Sequence, residues 1–459
     1  MSSINTSPFL SVEERTGKPK ELFAIWFASN IGFLGLVYGA MIVGFGLNFL
    51  QSILAAAVGA LSFALVGYLS LSGRDTGGTT FLLSRAAFGI NGNFIPNFLG
   101  WLNLIGWLAV NVVTGTLILL SLFNSFGIRQ NKTITIIALV IFVALILVSN
   151  IFGQDYLVKI QTILSYVFGI LTLFILLILI PRTNWNQLFA MKNGSWLMSF
   201  LPAVSIIAAG TGISWSIAAA DYSCYQKPNT SSASVIASVT FGAFIPLFVI
   251  MGAGILMSTS VPDLATASNP IQAIGKALPK WVTVIYYITA LGGFIPQCLI
   301  SLKSAKVSLE TLNINVSNKT AITVHAIIMI LLPIYVLFIS KDFLGNFQIF
   351  LGLLGIGLAA WAAVFLVDYK YIRKNLGYKE ELLTNKDMNS VNRKGVFSWF
   401  AGVIVGLLFT NCSFFSGPFA KGMFKDNSLG ILLAFIVSAV VYYILIVITK
   451  ENKGVKNNA

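Results

Sequence analysis

The sequence predicts an all-α membrane protein with twelve transmembrane helices. Of its 459 residues, 57% are hydrophobic and 10% are charged, whereas about a quarter of the residues in a soluble domain are charged. A spanning helix needs about 20 apolar residues, and because the bilayer cannot solvate unpaired backbone groups, such stretches must be helical. Twelve stretches qualify, at 22–48, 50–71, 96–122, 133–151, 157–181, 200–222, 232–257, 281–302, 319–340, 345–367, 395–415 and 428–449.

Basic residues are distributed unevenly between the two sides of this predicted topology. The net charge of +14 does not indicate nucleic-acid binding, because Lys and Arg lie in short loops and form no continuous patch. With both termini on the inner side, 20 of the 29 basic residues fall on that side. Since cytoplasmic loops carry such an excess, we predict a multi-pass protein of the inner or plasma membrane with both termini in the cytoplasm. The polar first 20 residues predict no cleavable signal peptide.

The predicted spans divide into two groups of five and a final pair. The first group covers 22–181, the second covers 200–367, and two additional helices occupy 395–449. Polar segments separate or flank these groups, namely an N-terminal cytoplasmic tail at 1–21, a cytoplasmic loop at 368–394 and a C-terminal cytoplasmic tail at 450–459.

Spans 1 and 6, the first of each group, are weakened near their centres. Span 1 carries Asn30 and Gly32 close to Ser29 and Gly35, and span 6 carries Gly210-Thr211-Gly212. Broken helices in matched positions are typical of inverted-repeat transporters, where they expose backbone groups at the membrane midplane. The alternative is that the glycines permit close helix packing. Because the clusters lie five spans apart, we predict a 5+5 inverted repeat with broken spans 1 and 6, plus two appended helices.

Span 3 combines an aromatic ring with an amide. Trp107 and Asn111 are four residues apart and therefore share one helical face. A planar heterocycle offers π-faces for stacking and ring-edge donors and acceptors, which an indole and an amide complement. Trp215 of span 6 is a candidate for the opposite face of the ring. The alternative is an interhelical hydrogen bond for Asn111 and plain packing for both tryptophans.

Two charged residues are predicted at the cytoplasmic face. We predict that Arg85, before span 3, and Asp221, at the end of span 6, either pair or bond nearby backbone ends, and that they separate when the inner gate opens. The alternative is that each is a solvated loop charge.

Span 8 and span 9 contain the remaining candidates. Gly292-Gly293 and Pro296 weaken span 8, because proline frees a backbone carbonyl. Gln297 follows at once and either lines the cavity or has a structural role. His325, the single histidine, lies near the cytoplasmic end of span 9, where it is either a packing residue or a proton carrier.

Five motifs along the chain carry a family resemblance. They are IWFASN in span 1, LLSRAAFGINGN before span 3, IGWLAVN within it, SWSIAAADYSCY in span 6 and SAKVSLETLN after span 8. In these motifs the chain resembles the nucleobase-cation symporters of the cytosine/purine permease branch. The resemblance implies the LeuT-like fold and uptake of cytosine, purines, hydantoins, allantoin or thiamine-precursor pyrimidines together with a cation.

The resemblance also implies where substrate binds. Trp107 and Asn111 fall where members stack and hydrogen-bond the base, and Asn30 falls in the unwound part of span 1. The candidate substrate-binding residues are therefore Asn30, Trp107, Asn111, Thr211, Ser214, Trp215, Ser216, Gln297 and Cys298.

The chain departs from the family pattern at several positions. Gln297 and Cys298 stand where many members have paired asparagines, Leu108 where Glu is common, and Cys224 where Arg is usual. Sodium-coupled members use carbonyls of span 1 and hydroxyls of span 8, but here that part of span 8 is Gly292-Gly293, and Thr289 is the nearest hydroxyl. The coupling cation is therefore left open between Na⁺ and H⁺.

These observations predict a secondary active transporter that imports a nucleobase or related planar heterocycle by cation-coupled alternating access. The alternative is a LeuT-fold transporter of hydantoin or allantoin, of a thiamine-precursor pyrimidine, or of an amino acid or amine. A channel and a membrane-embedded enzyme are weaker alternatives. The sequence contains no nucleophile–base pair, phosphate-binding motif or metal-ligand cluster, so no cofactor beyond the coupling cation is predicted.

Overall fold

The structure, a computed structural model, describes residues 7–32, 34–150, 154–261, 264, 270–312, 314, 317–340, 343–412, 415–421, 424 and 429–457. The chain is mostly helical. Its first helices are α1 Pro19–Asn30, α2 Leu34–Gly44, α3 Phe49–Ala60, α4 Phe63–Thr76, α5 Thr80–Phe88, α6 Phe94–Ser125, α7 Lys132–Asn150 and α8 Gln154–Leu179.

The second half of the chain continues in the same manner. It contains α9 Trp185–Phe189, α10 Leu201–Ala208, α11 Ala219–Ser223, α12 Ser232–Met257, α13 Pro270–Ala277, α14 Lys280–Thr311, α15 Asn318–Ile334, α16 Phe343–Asp368, α17 Lys374–Leu376, α18 Glu380–Thr384, α19 Arg393–Leu408 and α20 Gly430–Asn457. Two short strands, β1 Asn411–Cys412 and β2 Phe415–Ser416, pair antiparallel between the last two long helices.

The helices identify a multi-pass membrane protein. Within the described ranges, nine helical stretches are long and apolar enough to cross a bilayer, or ten if α1 and α2 form one bent span. Helices α3 and α4 join into one stretch over Phe49–Thr76, and α19, with 16 residues, is shorter than a typical span. The end of the predicted span 133–151 and the start of the predicted span 428–449 lie outside the described residues. So do residues 413–414, near the end of the predicted span 395–415.

The interior of the bundle is formed by α6, α14 and α16. The apolar windows of α6 and α16 are 78% buried, whereas those of α15 and α20 are 17% and 28% buried. Helices α6 and α14 pack along each other, and α1 packs on α8, α12 and α14. The polar candidates of α6 and α14 therefore lie inside the protein, where lipid does not reach them.

Span 1 is broken, as the sequence predicts. Helix α1 ends at Asn30 and α2 begins at Leu34, and the two axes differ by 64°. Ile31, which follows α1, has φ −85° and ψ 14°, outside the helical region, so the intrahelical hydrogen bonding stops there. Backbone groups at the bend are consequently left without partners in the helix.

Span 6 is not broken as predicted, and its helical winding changes instead. The chain stays helical through Trp196–Ser223, but its winding changes. A π-helical turn covers Ala209–Ile213 and a 3₁₀ turn covers Ser216–Ala218. The glycines instead allow close approach: a Cβ at Gly210 would overlap the Tyr38 hydroxyl. Glycine therefore serves packing here, and the distortion of winding replaces an unwound gap.

Candidate substrate site

A small cavity lies at the bend of span 1. Its volume is about 20 Å³, enough for roughly one water molecule. The lining comes from spans 1, 3, 6, 7 and 8: Ser29, Asn30, Gly32, Leu34, Gly35, Tyr38, Trp107, Gly210, Thr211, Trp215, Leu247 and Gln297. Five predicted site residues, Asn30, Trp107, Thr211, Trp215 and Gln297, are thus brought to one place.

Trp107 is held by a hydrogen bond to span 6. Its Nε1 donates to Ser214 Oγ at 2.6 Å. Asn103, one turn earlier on α6, donates from Nδ2 to the same Ser214 Oγ at 2.9 Å. All three side chains are buried. Ser214 therefore bonds to protein groups, and Asn103 joins the site as a residue that the sequence analysis did not single out.

Trp215 is packed edge-on against a second indole. The ring centroids of Trp26 and Trp215 are 5.7 Å apart with an interplanar angle of 80°, a favourable T-shaped arrangement. Trp26 also contacts Phe63 and Tyr222 edge-on. Trp26 lies within the IWFASN motif, and this contact shows why an aromatic residue stands before the bend.

The last turn of α1 satisfies part of its own backbone with side chains. Ser29 Oγ donates to the Ile25 carbonyl oxygen at 2.6 Å, and Asn30 Nδ2 donates to the Trp26 carbonyl oxygen at 2.8 Å. Both are bonds to the carbonyl one turn back within α1, a local bond that competes with the helical ladder and favours a bend or an end there. Asn30 also lines the cavity.

Span 2 provides a polar residue opposite the π turn of span 6. Ser62 Oγ lies 3.1 Å from Thr211 Oγ1 and accepts from Gly212 N at 3.0 Å. Thr211 Oγ1 also donates to the Ile207 carbonyl oxygen at 2.6 Å. Ser62 was not predicted, although a lone serine in the apolar stretch AVGALSFALVG was a signal for it. This contact stabilises the changed winding.

Asn111 and Cys298, both predicted to bind substrate, do not line the cavity. Apart from the Cys298 thiol, neither amide atom of Asn111 has a hydrogen-bond partner among the described residues, and the side chain is fully buried. The Cys298 thiol is a close neighbour, and a thiol is a weak donor and acceptor. Gln297 does line the cavity, and a Cβ on Gly32 would lie 3.6 Å from its Oε1.

Ser216 bonds within its own helix. Its Oγ donates to the Ile213 carbonyl oxygen at 2.6 Å, and the side chain is absent from the cavity wall. Of the polar residues predicted in span 6, Thr211 alone presents its side chain at the cavity, while Ser214 and Ser216 hold the backbone and a neighbouring ring.

Comparison with known proteins decides the family. The model of the family described as permease for cytosine/purines, uracil, thiamine, allantoin matches residues 10–437. The chain belongs to this permease family. The putative purine-cytosine permease YxlA of Bacillus subtilis is 28% identical over 456 residues, covering 96% of this chain and 95% of that protein. Purine-cytosine permease FCY2 of Saccharomyces cerevisiae is 25% identical over 315 residues, covering 66% and 55%.

Solved structures share the fold of this permease. Mhp1, a nucleobase-cation-symport-1 family transporter, in a closed conformation with bromovinylhydantoin bound, has a TM-score of 0.75 at 19% identity, with 96% of this chain and 94% of that chain covered. A Na⁺-coupled sialic acid symporter has a TM-score of 0.63 at 12% identity, with 94% and 90% covered. The relatives are permeases and transporters, so the chain is a transporter and not an enzyme.

Arg85 and Asp221 of the permease each bond to backbone groups. Arg85 donates to the carbonyl oxygens of Leu383 and Thr311, and burial lowers the pKa of its guanidinium. Asp221 Oδ1 accepts from Thr80 N, at the start of α5, at 2.9 Å. Asp221 is 3% exposed, so it is not a solvated loop charge. The structure thus shows the backbone-bonding form of the prediction.

A segment before α1 closes over the same end of the permease, and the sequence analysis missed it. Arg15 Nε donates to the Gln226 carbonyl oxygen at 3.2 Å, and Arg15 Nη2 donates to the Arg74 carbonyl oxygen. Gly17 N donates to the Tyr225 carbonyl oxygen at 2.8 Å. The chain entering span 1 is therefore tied to the ends of α4 and α11. Nothing in the local sequence signals these long-range bonds.

His325 and Cys224 have structural roles. Trp101 Nε1 donates to His325 Nε2 at 3.4 Å, and His325 is 1% exposed, which supports the packing alternative. Burial raises the pKa of the Cys224 thiol to about 12. At neutral pH this thiol stays protonated, so it does not replace the charge of the arginine usual at that position.

Proposed function

We propose that this permease is a secondary active transporter that imports a nucleobase or related small planar heterocycle by cation-coupled alternating access. The observation that carries the proposal is the cavity at the bend of span 1, whose lining includes Trp107, Trp215, Asn30 and Gln297. Indole faces stack on flat rings, and amides supply both donors and acceptors for ring edges.

The chemistry of the cavity wall favours a neutral ring over an amino acid or amine. Within the described part of the chain, the lining contains no Asp, Glu, Lys or Arg. A buried ammonium or carboxylate of a substrate would require a compensating charge or several hydrogen bonds. The hydantoin in the Mhp1 structure and the vitamin B6 transporter TPN1 of Saccharomyces cerevisiae, 24% identical over 280 residues, keep non-nucleobase rings as second candidates.

The topology proposed with this function has twelve spans. The two repeats occupy 22–181 and 200–367, and the appended pair occupies 395–449, with both termini cytoplasmic in the inner or plasma membrane. Helices α8 and α19 supply the fifth and eleventh spans, and the bend in span 1 with the altered winding in span 6 supports matched positions in two repeats. Under this topology the segment before α1 closes the cytoplasmic side.

Coupling to Na⁺ or H⁺ is part of the proposal. In this permease, α14 approaches the bend without a hydroxyl: a Cβ on Gly293 would lie 3.2 Å from the Ile31 carbonyl oxygen. Backbone carbonyls of span 1 are available to a cation there, but a conventional hydroxyl ligand from this part of α14 is not. Uptake with and without sodium, at fixed and imposed pH gradients, separates the two cations.

The test is a ligand panel on the purified full-length protein. Thermal stabilisation is measured with cytosine, uracil, adenine, hypoxanthine, allantoin, a hydantoin and pyridoxine, and with an amino acid and an amine as contrasts. We expect stabilisation by one flat ring or a few related rings, followed by saturable uptake of the same compound into proteoliposomes. Stabilisation by the amino acid or amine alone would contradict the proposal.

A further inference from the structure

We propose that Asn103 is a positioning residue that acts through Ser214 to fix the orientation of Trp107, so that this indole offers its face, and not its N–H, to a substrate. The inference rests on the proposed function, because it states how one wall of that site is held. Asn103 does not line the cavity, so its effect on a ligand must pass through another residue.

The geometry joins the three side chains at a single oxygen. Trp107 Nε1 and Asn103 Nδ2 donate to Ser214 Oγ at 2.6 and 2.9 Å, and Ser214 Oγ donates to Asn103 Oδ1 at 3.2 Å. Asn103 and Trp107 are four residues apart and so reach span 6 from one face of α6. The three side chains are 1–2% exposed, which excludes water as a competitor for these bonds.

The hydrogen-bonding capacity of the Ser214 hydroxyl and the Trp107 N–H is fully used. A hydroxyl has one donor and two acceptor positions, and an indole has one N–H. Ser214 accepts twice and donates once, and Trp107 donates its only N–H. Neither group is left for a ligand in this conformation. Hydrogen bonds to a ring edge must then come from the other polar groups of the wall, of which Asn30 and Gln297 are the amides.

The position of Ser214 indicates that its hydrogen bonds to Asn103 and Trp107 have a role beyond helix packing. Ser214 directly follows the π turn Ala209–Ile213 and directly precedes Trp215. The contact therefore sets the first indole, on α6, relative to the segment that carries the second. An ordinary interhelical hydrogen bond would stabilise the fold without defining the stacking plane, and this difference can be tested.

The first experiment needs no ligand. The full-length protein is labelled with 5-fluorotryptophan, and the ¹⁹F resonance of Trp107 is assigned with Trp107→Phe. We expect this resonance to shift or broaden in Asn103→Leu and Ser214→Ala, and to be restored in Ser214→Thr, which keeps the hydroxyl. Thr116→Val is the matched control, because Thr116 is a buried hydroxyl on α6 that bonds to the Val112 carbonyl oxygen. If Asn103→Leu does not fold, Asn103→Ala takes its place.

The second experiment uses whichever panel compound stabilises the wild type. We expect the dissociation constant to rise about tenfold in Asn103→Leu and in Ser214→Ala, as for the loss of one buried hydrogen bond, with little change in Thr116→Val. In the Trp107→Phe background, Ser214→Ala should add little further loss, since Ser214 acts through the indole N–H that this variant lacks.

The outcomes separate this inference from the proposed function. An unchanged Trp107 resonance in both Asn103→Leu and Ser214→Ala overturns the positioning role. A full additional loss of affinity when Ser214→Ala is added to Trp107→Phe also overturns it, because Ser214 would then affect the ligand by a route other than the indole. If no panel compound binds the wild type, the proposed function fails, while the fluorine resonance still decides whether Asn103 orients the ring.

Discussion

At the scale of single residues, the site separates groups that face a ligand from groups that hold them. Trp107 and Trp215 present rings at the cavity, whereas Ser214 and Ser216 bond to protein atoms. Residue type and spacing indicated an indole and polar groups near the midplane. They did not distinguish the two roles, because a hydroxyl at a given position bonds to whichever partner the neighbouring helix brings.

Replacing either cavity indole with alanine should abolish ligand binding while the protein still folds. Trp107→Ala and Trp215→Ala each remove a stacking face, whose loss together with the buried area costs at least about 1.4 kcal/mol, a tenfold loss of affinity. Thermal stabilisation by the bound panel compound measures the effect. Trp281→Ala is the control, since Trp281 is 61% exposed on the outside of the bundle. Wild-type saturation in both cavity variants would contradict the stacking model.

The Asn111 amide should lower the stability of the ligand-free protein and contribute to ligand binding. With only the weakly bonding Cys298 thiol as a partner among the described residues and no exposure, it carries a desolvation cost of about 1–3 kcal/mol. Asn111→Leu should therefore raise the melting temperature of the ligand-free protein and weaken the ligand-dependent increase. Both quantities come from one thermal-shift series. A lower melting temperature with an unchanged ligand response would show that the amide has a structural role.

At the scale of elements, the bend in span 1 and the winding of span 6 differ in kind. The polar residues of span 1 stand at a true break, where Ser29 and Asn30 bond to carbonyls one turn back in α1. Span 6 keeps its helical hydrogen bonds in altered form, with Ser62 bonding to Thr211 and Gly212. Glycine content alone predicted a break in both, because the sequence does not show which neighbour a glycine makes room for.

The packing of α2 on α12 depends on a glycine. A Cβ at Gly39 would overlap the Met251 carbonyl oxygen and meet Gly254, both backbone groups that cannot turn aside. Gly39→Ala should cost about 1–3 kcal/mol by overpacking and lower the melting temperature. Gly44→Ala, in the same helix, has nothing within 4 Å and is the matched control. Equal melting temperatures for the two variants would show that the helices separate without cost.

At the scale of the whole molecule, one end of the bundle is closed by segments distant in sequence. Arg15 joins the chain before α1 to the ends of α4 and α11, and Arg85 joins α5 to Leu383 in α18. Under the proposed alternating access, we expect the chain entering α1 to leave Gln226 and Tyr225 when this end opens. The bonds of this segment would then be part of the barrier between the closed and open states.

Loss of the Arg15 bonds should favour the open state on this side. Each bond from a charged donor contributes about 1.5–3 kcal/mol, so Arg15→Ala should raise the open population at least about tenfold. Maleimide labelling of buried Cys298, with Cys224 and Cys412 replaced by serine, reports the opening as a faster rate. Lys20→Ala removes one charge from an exposed position nearby and should label at the wild-type rate. Equal rates in the two variants would exclude the closing role.

The sequence by itself determined the membrane class, the approximate helices, the bend in span 1 and the tryptophans of the cavity. These follow from local chemistry: apolar length, interrupted helix formers, and residue types whose motifs resemble a permease family. Tertiary structure decided what each polar group does, namely that Asn103 and Ser62 support the site, that Asn111 does not line its cavity, and that Arg15 closes one end. Those roles depend on contacts between residues more than 100 positions apart, or on a neighbouring helix face, and such distances are set by packing and not by local sequence.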